Sequence, residues 1–283
     1  MPDFKKRNIA DYSSLSRAEL DGMLEYGRNH RLANQYAGRR ILVFPHFGIR
    51  KCGPLAAATA YACLRSGADR ILAIGVLHGG ARPELKAAAE RIAKGTGPES
   101  EPLRGIHTPG ESLCADEFSV MHFEFLLKGI AEAEGVRMPE LIVRYPVLTC
   151  GEPATLPGIH ELADIAADSI IVSTMDTVHH GIGYGTPEAE ALQPEPEGLI
   201  MARKKTADLM DLLVQGDYRE YEKAGRECKS DGLANGPVLR HILGGFRSEI
   251  SDLAWEDMSK IYEAPSPTWV AGGLIEMTGD SKR

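Results

Sequence analysis

The sequence predicts an α/β fold in which a mostly parallel central sheet is covered by helices on both faces, a three-layer sandwich. Three observations predict it. Short uninterrupted apolar runs recur, first Ile41-Leu42-Val43-Phe44 and then Ile71-Leu72-Ala73-Ile74, and strands of that kind belong to sheets buried on both sides. An Ala-rich stretch from Pro54 to Leu64 lies between them. Strand, helix and strand over so short a span make a βαβ unit, nearly always right-handed. Across its 283 residues the chain has no repeat, no low-complexity tract and no marked linker. It therefore reads as a single domain over 1–283, with a helical extension over 1–39 and a core over about 40–277. That is within the size α/β domains reach.

Taken in order, Ser16-Arg17-Ala18-Glu19 is a capping box, in which serine and glutamate satisfy free N–H groups at a helix start. Leu20, Met23, Leu24 and Leu32 then give an apolar stripe that Gly22 and Gly27 weaken. Residues 40–45 read as the first strand, 54–64 as a helix and 70–76 as the second strand. Pro54 suits a first helical turn. A helix over 84–94 precedes a long loop from Gly95 to Cys114, and loops of that length inside a domain are often functional. A helix over about 117–133, a strand over 141–147, a helix over 157–167 and a strand over 169–174 follow. Residues 184–200, with several prolines and glutamates, read as an exposed loop. Helices over about 203–214, 217–228 and 237–249 and a last strand from Thr268 to Met277 complete the expectation.

The formal net charge of −8 argues against a nucleic-acid partner, which calls for a basic face. Lys5-Lys6-Arg7 and Arg203-Lys204-Lys205 are short and read as solvated surface. The five cysteines are scattered, without a CxxC pair, which makes a poor disulfide framework and fits a reducing compartment. The first residues lack the apolar core of a signal peptide, and no apolar run approaches the ~18 residues of a membrane span. A cytoplasmic location, no membrane and a small-molecule partner are expected.

Two strands end alike. The first runs through Pro45 into His46, the second through Leu77 into His78, and each histidine has a glycine close behind, Gly48 and Gly79. Ligands of open α/β sheets bind beyond the carboxyl ends of the strands. Neighbouring parallel strands lie ~4.8 Å apart, so two such imidazoles can reach one metal ion at ~2 Å each. The blander reading is that each histidine caps its strand and bonds a nearby carbonyl. The third strand runs into Met175-Asp176-Thr177-Val178-His179-His180-Gly181. Asp176 and His179 there are candidates to bind metal, orient a ligand imidazole or move protons, against a plain surface turn before Gly181. Asp116-Glu117 reads as opening a helix, where the dipole favours carboxylates.

Taken together, these segments resemble the Memo family. Pro45-His46-Phe47-Gly48 with Cys52-Gly53-Pro54 is similar to its Pro-His-Ala-Gly…Ser-Gly-Pro motif, and Val76-Leu77-His78-Gly79 to its Gly-Pro-x-His turn. Asp116-Glu117-Phe118-Ser119 resembles Asp-Glu-His-Ser, and Ser173 to Gly181 resembles Ser-Ser-Asp-x-x-His-x-Gly. The motifs fall in order over roughly 40–245. The family shares its fold with class III extradiol ring-cleaving dioxygenases, non-haem iron(II) enzymes with two histidines and a carboxylate on the metal. The resemblance implies that His46 and His78 are metal ligands and that Asp176 and His179 line the pocket. Two departures stand out. Leu233 occupies the place of the family's third ligand, a cysteine, and Phe118 replaces a histidine. The third ligand is therefore open among Asp176, Asp231, Asn235 and Cys228. A carboxylate favours non-haem iron, and a thiolate favours copper or zinc.

The expected function is a metal-dependent oxidoreductase, a non-haem iron(II) dioxygenase acting on a small molecule with dioxygen. His46, His78 and Asp176 are the expected metal ligands, with His179 and Asp176 as acid/base residues. Arg50, His180, Glu117 and Asn235 are expected to bind substrate, Arg50 through a carboxylate. Iron(II) is the expected metal, with copper and zinc as the other candidates, and a homo-oligomer is in keeping with a metabolic enzyme of this size. Two other readings compete: a non-enzymatic ligand- or peptide-binding protein in which the site has decayed, and a zinc-dependent hydrolase, since zinc accepts the same donors.

Overall fold

In the computed structural model, which describes residues 3–34, 40–78, 82–94, 97 and 100–280, the apolar runs of the sequence become the middle of a sheet. Helix α1 (Phe4–Ser14) and helix α2 (Arg17–Asn29) come first, the second opened by the expected capping box at Ser16 and Glu19. Strand β1 (Arg40–Phe44), α3 (Ile49–Arg65), β2 (Arg70–Ile74) and α4 (Pro83–Ala93) follow. Next come β3 (Gly105–His107), α5 (Met121–Glu134), β4 (Glu140–Val147), α6 (Ile159–Ala167), β5 (Ile170–Thr174) and β6 (Val178–Gly181). The chain closes with α7 (Leu199–Gln215), α8 (Tyr218–Cys228), α9 (Asn235–Leu243), β7 (Phe246–Asp257), α10 (Ser259–Tyr262) and β8 (Thr268–Gly279). Gly79, Gly80 and Gly95 lie outside the described residues.

The eight strands form one mixed sheet in the order β3-β4-β2-β5-β1-β8-β6, with β7 paired to β8. Its centre, β4-β2-β5-β1, is parallel, so the sheet expected to be mostly parallel is parallel only there. Its flanks are antiparallel, through β3 on β4 and through β1, β6 and β7 on β8. The alternation of side chains along a strand divides β1 between two cores. Ile41 and Val43 pack with residues of α6, α7 and α9, while Leu42 and Phe44 pack with α3 and α5. Helices thus flank the sheet.

Four expectations are corrected. The helix expected over 237–249 ends at Leu243, where Gly244 takes φ 76°, and the chain then forms β7. The helix expected from Glu117 begins at Met121, because the Glu117 carboxylate takes the amides of Phe118 and Ser119 in a turn. His179 and His180, weighed as a surface turn, lie within β6. The long loop from Gly95 to Cys114 contains β3, with His107 bonded to Glu111 and to the Leu103 carbonyl. No helix among the described residues is long and apolar enough to cross a membrane.

Register brings the chemistry together. Phe44 is level with Thr174 and Ile74 with Ser173, so β1, β2 and β5 end at one edge. Strand β8 pairs with β1 over Ile275 to Thr278 and with β6 over Thr268 to Ala271. Since β7 occupies the other side of β8, β1 and β6 share one side and leave a gap opposite Gly272. There Pro45 and His46 leave the sheet. A Cβ on Gly272 would stand 2.7 Å from Pro45 Cβ and 3.1 Å from the Met175 carbonyl, so the absence of a side chain lets these segments approach.

Candidate metal centre

Each side chain at this edge is set by backbone hydrogen bonds. The His46 amide donates to Asp176 Oδ1 at 2.9 Å, and the Met175 amide continues the ladder onto the Phe44 carbonyl. The turn holding His78 is fixed by Glu117. That carboxylate accepts the His78 amide at 2.8 Å, His78 Nδ1 at 3.0 Å and the amides of Phe118 and Ser119 at 2.7 and 2.8 Å. An ionised carboxylate only accepts, so the His78 proton sits on Nδ1 and the Nε2 lone pair is free. Asp231 lies between α8 and α9 and clasps Asp176. The Asp176 amide donates to Asp231 Oδ1 at 2.8 Å, and the Asp231 amide donates to the Asp176 carbonyl at 3.3 Å.

The result is a triangle of donor atoms. His46 Nε2 is 3.1 Å from His78 Nε2 and 3.2 Å from Asp231 Oδ2. The third edge, His78 Nε2 to Asp231 Oδ2, is 4.0 Å. Ligands bound at ~2.1 Å with angles of ~90–110° lie ~3.0–3.4 Å apart, so two edges fit a shared cation and the third closes with a shift of under about 1 Å. Asp231 Oδ2 is buried and has no hydrogen-bond partner. A buried carboxylate oxygen without a donor is costly, and a cation at the centre of this triangle satisfies it. Asp176, His179 and Asp231 form a second, overlapping group of donors within 4.8 Å of one another.

Electrostatics agree with this geometry. Burial alone would keep His46 neutral, but Asp176, Asp231 and Glu117 outweigh it and raise its pKa to about 9. The field at His46 therefore favours a positive charge, a proton or a metal ion. Burial and the neighbouring Asp231 raise the Asp176 carboxyl, although His46 opposes them. Burial opposes ionisation of Asp231 too, but the histidines hold it below the ordinary range. Glu117 is lowered to about 2, since the electrostatic attraction of His78 and the hydrogen bonds from His78 and the Phe118 amide outweigh its burial cost. His179 is pushed down by burial, so it stands unprotonated near neutral pH.

Of the residues expected from sequence, His46, His78, Asp176, His179 and Glu117 meet here. Asp231 faces the imidazole pair, Asp176 accepts the His46 amide and bonds Asp231 through its backbone, and the Glu117 carboxylate is taken up by His78 and backbone amides. Arg50 is turned away and ties α3 to the N-terminal helices through Glu19, Asp11 and Ser14. Alternation along β6 sends His180 to the opposite side, where its Nε2 accepts the Leu192 amide and its ring packs on Trp269. The Asn235 amide is spent on the carbonyls of Ile74 and Thr174 and on Ser173 Oγ. Cys228 is a buried thiol at the end of α8, its pKa raised by burial. Phe118, where a histidine stood in the resemblance, stacks on His78 with centroids 4.2 Å apart.

Sequence reading missed the cavity wall beyond the donors. Phe4, Arg7 and Asn8 of α1 cover it, and Tyr184, Met258 and Tyr262 line its side. No local pattern marks these residues, since they converge from segments far apart in the chain. A scan against protein-family models and a search of curated proteins find no match for this chain.

Proposed function

We propose that the chain is a metal-dependent oxidoreductase of the non-haem iron(II) oxygenase type, acting on a small molecule with dioxygen. His46, His78 and Asp231 hold the metal in this reading. One observation carries it: two imidazole Nε2 atoms 3.1 Å apart face a buried carboxylate oxygen that has no other partner. Two histidines and one carboxylate on a single face leave positions open for other ligands, the donor set typical of non-haem iron(II). When bound, iron(II) supplies the redox chemistry with dioxygen. The chain supplies the rest. Glu117 fixes the His78 ring, Asp176 fixes the loops of His46 and Asp231, and His179, unprotonated and beside Asp231, accepts a proton from the substrate.

The same geometry supports the Memo-like reading of the sequence and a three-layer architecture, with Asp231 in place of the family's cysteine two positions before Leu233. Iron analysis of protein purified without oxygen tests the proposal. About one iron per chain, with oxygen uptake on addition of small oxygen-bearing substrates, supports it. Zinc bound without oxygen uptake favours the zinc hydrolase instead, and no metal under any reconstitution favours a binding protein.

A further inference from the structure

The cavity at the donor atoms holds more unpaired polar groups than the metal reading uses. Among the described residues, buried side-chain atoms without a hydrogen-bond partner include His46 Nδ1, His179 Nδ1, Asp231 Oδ2, the Tyr184 hydroxyl and Asn8 Nδ2. The first three belong to the donor cluster. Asn8 does not. It is the buried residue of α1, 3% exposed, and it lines the same cavity as His46 and His78. Native structures leave few buried amide groups unpaired, so the Asn8 carboxamide awaits an oxygen that the protein itself does not supply.

The dimensions point the same way. The cavity measures about 60 Å³, against ~300–1,000 Å³ for sites that enclose drug-sized ligands. A larger cavity of about 310 Å³ lies nearby, but of the three donors it touches Asp231 and neither histidine. The cavity that touches both imidazoles is walled on one side by Phe4, Arg7 and Asn8 of α1. That helix is held in place by ring contacts of Phe4 with Phe118 and Tyr262 and of Tyr12 with Phe125, and by Arg7 to Glu256 at 2.7 Å, Lys5 to the Ala115 carbonyl at 2.6 Å and Tyr12 to His122 Nδ1 at 2.8 Å, so Asn8 is presented to the cavity from a fixed position.

We infer that Asn8 is a substrate-binding residue, held by α1 in the cavity wall, where its side-chain NH₂ donates a hydrogen bond to one oxygen of a small oxygen-bearing ligand. This rests on the metal reading above, because the ligand sits between the metal and Asn8. Acetohydroxamate, a small bidentate oxygen chelator, is the probe, and cobalt(II) is the metal, read by its visible absorption. Wild type and Asn8→Leu are expected to bind one cobalt(II) equally, while Asn8→Leu binds acetohydroxamate about tenfold more weakly and Asn8→Gln recovers part of the loss. Amide hydrogen exchange over residues 4–14 is expected to slow when the probe binds the wild-type cobalt protein. Equal probe affinity in Asn8→Leu, or exchange in α1 that does not respond, overturns the inference and leaves the metal reading intact. Failure of wild type to bind cobalt(II) overturns both.

Discussion

Glu117 accepts the Nδ1 proton of His78 at 3.0 Å while three backbone amides converge on the same carboxylate. The contact fixes which nitrogen of His78 faces the site, and it ties the turn after β2 to the turn before α5. Glu117→Gln places an NH₂ among these donors. Metal affinity is expected to fall about 10–100-fold, the usual effect of removing a partner of a ligating histidine. Calorimetric titration with zinc or cobalt checks this, and unchanged affinity removes the orienting role.

Asp231→Asn separates the two jobs of that residue. The side-chain oxygen still accepts the Asp176 amide, now made to Oδ1 at 2.8 Å, so the fold and melting temperature hold. The charged oxygen facing the imidazoles is lost, and metal affinity is expected to drop on the order of 10²–10³-fold, beyond the effect of an outer partner. Asp176→Asn is expected to cost less, because Asp176 acts on the backbone. The reverse ranking would make Asp176 the third ligand.

Gly272→Ala probes the gap between β1 and β6. Its Cβ meets Pro45 Cβ at 2.7 Å and the Met175 carbonyl at 3.1 Å, neither of which can swing aside as a flexible side chain would. Overpacking of this kind costs ~1–3 kcal/mol, and it displaces the segments bearing His46 and Asp176. Lower denaturant stability together with weaker metal binding is the expected pair of results.

His122 makes the fold acid-sensitive. Its Nε2–H donates to the Phe47 carbonyl at 2.6 Å, and its Nδ1 accepts the Tyr12 hydroxyl at 2.8 Å. Burial lowers its pKa from 6.5 to about 3. Between these values the unfolded chain binds a proton that the folded protein does not, so stability rises with pH across that window and is lost as pH falls. From pH 7 to 4.5 the loss assigned to this residue is about 3 kcal/mol. Urea unfolding at the two pH values checks it, and His122→Gln, which keeps a donor and an acceptor but does not titrate, is expected to flatten the difference.

The central strands and their histidines were legible because parallel, doubly covered strands spell themselves as apolar runs, and the polar residues behind them stand at the sheet's ligand edge. Strand β7 was not legible. Its sequence, Phe246 to Asp257, is half exposed and rich in Ser, Asp and Glu, and it becomes a strand through its pairing with β8. Helix α1 has a single buried residue, Asn8, so no apolar stripe announced it. Asp231 was one of several candidates because its position depends on how the turn after α8 folds back onto Asp176, a long-range contact that local spacing does not encode.

The central claim is that His46 and His78 share one cation. X-ray absorption at the metal K-edge of the reconstituted protein tests it most directly. Two imidazoles per metal in the wild type and one in His78→Ala are the predicted result. A wild-type spectrum with fewer than two imidazoles, or a His78→Ala spectrum identical to it, would contradict the account.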